Sequence, residues 1–128
     1  MKSVIPLAVE EVYKKHFGEK DWPTVLKKAG LDPKTKFFGH KDTDDKEVVS
    51  LLQAIMDHHN MAMEDLSDAF GDYWVNDFAA RHYFAFFTTA NNSRDFLENM
   101  NKVHEKIGSK VAGSKPPRFT FDWVDDNT

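Results

Sequence analysis

This chain of 128 residues contains no cysteine, which excludes disulfides, thiolate metal ligands and thiol nucleophiles, and nothing in it points to an oxidising compartment. It also lacks any apolar run long enough to span a membrane. The start, Met1 to Val9, is interrupted by Glu10 and Glu11 too early for a secretory signal, so a soluble, cytoplasmic protein with no membrane partner is expected. Clustered basic charge is missing too. A net charge of −4 argues against nucleic acid, whose phosphates need grouped Lys and Arg. There is no His-Glu-x-x-His, no phosphate-binding glycine loop and no nucleophile elbow, so hydrolytic or phosphoryl-transfer catalysis has no support and the chain reads as a non-enzyme.

What is abundant is aromatic: eleven Phe, three Trp and three Tyr in one domain-sized chain. They fill a core or line a large apolar pocket. Periodicity predicts a first helix from Lys2 to Phe17, stopped by Gly18, with Ile5, Val9, Val12, Tyr13 and His16 near one side. Asp21 and Pro23 open a short helix closed by Gly30, and residues 31–42 form a loop. Thr43 is the expected cap of a helix to His58, led by Asp44, Asp45 and Glu47 and faced by Val48, Leu51, Leu52 and Ile55. A helix over 62–78 repeats Leu66, Phe70, Trp74 and Phe78. Its mid-helix Gly71 costs about 1 kcal/mol against Ala, which suggests a close approach by a helix or ligand. Tyr83 to Phe87 is a short apolar stretch, and a helix over 95–107 follows.

In that last helix Phe96, Met100, Val103 and Ile107 form an apolar ridge with Leu97 beside it, and His104 falls on the same side. An unpaired buried imidazole nitrogen costs about 1–3 kcal/mol, so His104 needs a partner. Backbone carbonyls and an iron or zinc ion both meet that need, and pattern alone does not choose between them. The adjacent His58 and His59 diverge by about 100° on a helix, which suits a solvated terminus better than a shared metal. His40 and His82 read as surface residues.

After a Gly/Ser/Lys loop and Pro116-Pro117, alternation of Phe119, Phe121 and Trp123 with Arg118, Thr120 and Asp122 reads as a half-buried strand. Asp125-Asp126-Asn127 then reads as a hairpin turn. A strand without a partner is an unpaired edge, so the fold class expected is α+β. It has a helix-rich amino-terminal part, followed by the start of an antiparallel sheet. Residues 1–128 are read as a single domain, incomplete at its carboxy terminus.

Taken in order, several fragments resemble the haem nitric-oxide/oxygen-binding (H-NOX) family, the sensor domain also found in soluble guanylate cyclase. They are Met1-Lys2 with Ile5, Phe17-Gly18 with Trp22, Ala69-Phe70-Gly71, Phe96-Leu97 leading to Asn101-Lys102-Val103-His104, and Pro116-Pro117-Arg118-Phe119. The resemblance spans nearly the whole chain. It implies haem b as cofactor, with His104 as the proximal ligand of its iron and Pro117 pressing on the porphyrin. Ile5 would touch the ring, Trp74 and Phe78 would line the distal side, and Val9, Leu97 and Met100 would complete the lining.

In the family, nitric oxide weakens the bond between iron and histidine, and the freed helix moves. Oxygen-binding members add a distal hydroxyl, which these candidates lack, so the resemblance favours nitric oxide. Bacterial members usually regulate a histidine kinase or a cyclic-di-nucleotide enzyme. One departure is clear: the family holds the haem propionates with Tyr-x-Ser-x-Arg, and Tyr13, Tyr73 and Tyr83 all lack the following Ser and Arg. The alternative from another class is a haem-free helical protein-interaction module whose aromatic residues fill an ordinary core.

Overall fold

The computed structural model describes residues 1–110, 113 and 115–126. Seven α-helices are present among them: α1 (Val4–Phe17), α2 (Trp22–Lys28), α3 (Asp45–His59), α4 (Met63–Tyr73), α5 (Ala79–His82), α6 (Phe84–Phe87) and α7 (Ser93–Lys110). A π-helical turn, Trp74–Phe78, continues α4. The chain divides into two compact units, Met1–Phe78 and Ala79–Thr128.

The first unit forms because three helices each offer one apolar stripe. Val9, Val12 and Tyr13 recur at helical spacing on α1, as do Val48, Leu51 and Ile55 on α3. Together with Trp22, Val25, Leu26, Phe37, Ala54 and Leu66 most of these make one continuous core. The helix ends follow their local chemistry. Gly18, at φ 81°, ends α1 and donates its N–H to the Lys14 carbonyl at 2.9 Å. Asn60, at φ 49°, ends α3 in the left-handed region that Asn tolerates. Pro6 lies in the first turn of α1, where no intrahelical N–H bond is lost.

Several local expectations change. Asp44, not Thr43, caps α3: its carboxylate accepts from the Lys46 N–H at 2.8 Å. The Thr43 hydroxyl instead lies 2.5 Å from that of buried Ser3, while Ser3 N–H donates to the Lys41 carbonyl at 3.0 Å. These bonds tie the start of α1 to the loop before α3, where Lys2 and Asp42 make an isolated antiparallel bridge. Gly71 is exposed, and a Cβ added there meets nothing within 4 Å, so no neighbouring helix explains it. The long helix expected over 62–78 changes its winding at Trp74, where i→i+5 bonding replaces i→i+4.

In the second unit α7 runs from Ser93 to Lys110, longer than expected at both ends, and none of its residues is fully buried. Residues 115–123 run extended along α7 but form no strand among the described residues, so the sheet edge expected there is not found. Phe121 and Trp123 do keep the two-residue alternation, their rings stacked at 5.9 Å. The turn expected at Asp125-Asp126-Asn127 is present at Asp126, and Asn127 lies outside the described residues, as do three residues of the expected Gly/Ser/Lys loop, whose first three residues belong to α7.

Candidate haem-binding site

In the second unit the extended tail runs antiparallel along α7 and places the candidate ligand. Gly108 faces Pro116, with only 3.7 Å between an added Cβ and the proline Cδ. His104 Nδ1 lies 2.9 Å from the Pro117 carbonyl oxygen. Asn101 bonds twice to the backbone of Phe119, and the Arg94 guanidinium lies 4.3 Å from the Trp123 ring centroid. The tail is therefore held at four points, from Gly108 back to Arg94, along about four turns of helix.

The His104 ring is half-buried, 5.7 Å from the Phe119 ring. A carbonyl oxygen has no proton to give, so Nδ1 must carry the hydrogen and donate it. In the neutral ring Nε2 then keeps its lone pair, and it makes no hydrogen bond among the described residues. One nitrogen thus meets a backbone carbonyl, while the other has the chemistry of a metal ligand. Neutral imidazole oriented through the opposite nitrogen is the usual state of a ligating histidine, so His104 fits haem iron as a donor. Near it Met100, Val103 and Ile107 are half-buried, Leu97 is exposed, and Pro117 presents its ring at the surface. Arg118 pairs with Glu105 on the outer face of α7 at 2.5 Å, both side chains well exposed.

The first unit holds the other candidates. Phe70, Trp74 and Phe78 stack as a ladder, at 5.7 Å and then 5.2 Å between centroids. The wider π turn supports this overlap, because side chains four apart drift less there than on an α-helix. Phe78 is buried, Trp74 and Ile5 are half-buried, and Val9 borders an apolar recess with Val12, Phe17, Ile55 and Leu66.

Sequence reasoning missed the polar partners in this unit. His58 and His59 are not a solvated terminus: His59 Nε2 lies 2.8 Å from the Tyr13 hydroxyl and its ring stacks on Phe17 at 3.7 Å. His58 Nδ1 lies 2.9 Å from Lys28 Nζ. Burial lowers the His59 pKa, helped by His58 and Lys28 and opposed by Asp21, while burial and then Asp21 raise that of Tyr13. Tyr73 donates to Glu11 Oε2 at 2.7 Å. The only signal for these bonds was the presence of a tyrosine on each apolar face, since a buried hydroxyl needs a partner.

Among curated proteins none matches this chain. A solved Cs H-NOX mutant carrying 4-cyano-L-phenylalanine superimposes with a TM-score of 0.82 at 21% identity, covering 98% of this chain and 66% of that one. An H-NOX protein from S. oneidensis in the Fe(II)NO ligation state gives 0.78 at 20% identity, with 92% and 65% covered. An oxygen-binding H-NOX domain related to soluble guanylate cyclases, solved as its oxygen complex, gives 0.74 at 21% identity, with 92% and 62% covered. Likenesses at these identities show the fold, and the chain spans less than two thirds of the length of those structures. The family described as "Haem-NO-binding" matches residues 2–128. Its members are haem-based gas sensors rather than enzymes. This protein, over nearly its whole length, belongs to the haem-NO-binding family.

Proposed function

We propose that residues 1–128 act as a single sensor domain in which His104 holds haem iron and nitric oxide is the signal. One observation carries this reading: Nδ1 of His104 is committed to the Pro117 carbonyl at 2.9 Å, which leaves Nε2 as the ring's donor nitrogen. Haem, when bound, would supply an iron able to bind a diatomic gas, and His104 would hold it. The chain's own backbone orients the donor, through the Pro117 carbonyl. Pro117, Leu97 and Met100 would meet the porphyrin on the histidine side. Ile5, Val9, Trp74 and Phe78 would cover the gas side.

Nitric oxide is favoured over oxygen because the distal candidates bring no hydroxyl, and the neighbouring buried tyrosines are engaged. Tyr73 donates to Glu11, and Tyr13 is paired with His59. A hydrogen bond of about 0.5–1.5 kcal/mol is worth up to tenfold in affinity, so its absence disfavours oxygen. The moving element would be α7, which has no fully buried residue and therefore little packing to give up. The extended residues 119–123 would serve as the first strand of an antiparallel sheet in an α+β domain. A histidine kinase or a cyclic-di-nucleotide enzyme is the expected partner class, in a cytoplasmic setting.

The reading is tested by titrating haem into the purified protein and following its visible absorption, with His104→Gly alongside and free imidazole added back. Binding that His104→Gly weakens and imidazole restores supports it. Unchanged binding in His104→Gly refutes His104 as the ligand, and a wild-type chain that takes up no haem refutes the site.

A further inference from the structure

The Pro117 carbonyl that accepts from His104 belongs to a Pro-Pro pair, and neither proline has an N–H with which to anchor itself. Something else must hold this stretch of tail against α7. The Arg118–Glu105 ion pair is adjacent, but its side chains are 65% and 62% exposed, and such pairs hold little in water. The firmer anchor is Asn101, one helical turn before His104. Its Nδ2 donates to the Phe119 carbonyl at 2.7 Å, and its Oδ1 accepts from the Phe119 N–H at 2.8 Å. A carboxamide presents the same donor and acceptor as a peptide unit, so Asn101 gives Phe119 the pairing that a neighbouring strand would.

We infer that Asn101 is the positioning residue of the proximal histidine. By fixing Phe119 on α7, it sets the Pro117 carbonyl two residues away where His104 Nδ1–H can reach it, and so selects Nε2 as the free nitrogen. Both side-chain hydrogen bonds of Asn101 go to Phe119, so it acts on the ring through the tail. The consequence for iron rests on the haem reading above, whereas the choice of tautomer does not.

The test is nitrogen-15 NMR of the full chain without haem, at one neutral pH, reading the His104 tautomer and the exchange of the Phe119 amide. In the wild type Nδ1–H is expected to dominate. Asn101→Leu should shift His104 toward the Nε2–H form that an unconstrained histidine side chain prefers and speed Phe119 amide exchange up to about tenfold, the scale of one lost hydrogen bond. Arg118→Ala should leave both readings unchanged. Should Asn101→Leu fail to fold, Asn101→Asp decides, because it keeps the acceptor for Phe119 N–H and loses the donor. A partial tautomer shift with the amide still protected is then expected. A His104 tautomer unmoved by either substitution, or moved equally by Arg118→Ala, overturns the inference. Failure of haem to bind leaves this result intact, and an unmoved tautomer leaves the haem reading intact.

Discussion

His104 Nδ1 and the Pro117 carbonyl oxygen, thirteen residues apart in the chain, lie 2.9 Å apart across the face of α7. That contact turns an ordinary half-buried histidine into an oriented one, with its proton on a known nitrogen. Because the acceptor is a backbone atom, no side chain at position 117 is needed for it.

Pro117→Ala should therefore keep the His104 contact while removing the ring expected against the porphyrin. Its cost to folding should be small, about 0.4–1 kcal/mol, chiefly from greater freedom of the unfolded chain. Denaturant unfolding without haem checks that cost, and the reduction potential of the haem-loaded protein should change in the same variant. An unchanged potential would remove Pro117 from the site.

Leu97→Ala and Ile55→Ala separate lining from core. Ile55 is fully buried, so its truncation should cost about 2–5 kcal/mol. Leu97 is 44% exposed, so its truncation should cost within about 0.5 kcal/mol without haem and act on haem retention instead. Chemical denaturation with and without haem reads both. A large loss from Leu97→Ala without haem would mean that it is a packing residue.

The paired Tyr13 hydroxyl and His59 ring make the first unit sensitive to acid. The His59 pKa lies below its ordinary value of 6.5, so the unfolded chain binds more protons there as pH falls. Its contribution is full above about 6.5 and is lost as pH drops through the lowered folded value. Tyr13 has the opposite sign: with its pKa raised above 10.0, its contribution is full below that value and is lost in stronger alkali. Tyr13→Phe should cost about 0.5–1.5 kcal/mol at neutral pH. Thermal unfolding from pH 5 to 8 checks the His59 dependence and the Tyr13→Phe cost, and a Tyr13→Phe protein as stable as wild type would show that the pair contributes nothing.

The helices were legible because their stripes are local: Val48, Leu51 and Ile55 announce a face without reference to anything distant. His104 was legible for the same reason, as a polar residue out of place on an apolar ridge. Two kinds of feature were not. Thr43 and Asp44 are both good caps, and only the distant demand of Ser3 for a hydroxyl partner decided between them. The Asn101–Phe119 pairing and the Tyr13–His59 bond join residues 18 and 46 apart, and no local pattern encodes such distances. The tail from Pro116 to Trp123 alternates like a strand, yet its partner among the described residues is a helix side chain. Alternation reports an extended backbone, and what completes its hydrogen bonds is a separate matter.

The central claim is that His104 is the iron ligand and nitric oxide the signal. The most direct test is the visible absorption of the haem-loaded ferrous protein before and after nitric oxide, with His104→Gly in parallel. A spectrum of histidine-ligated, five-coordinate iron that nitric oxide converts to one without histidine, and that is missing from the variant, is the expected result. A wild-type spectrum identical to that of His104→Gly, both before and after nitric oxide, would contradict it.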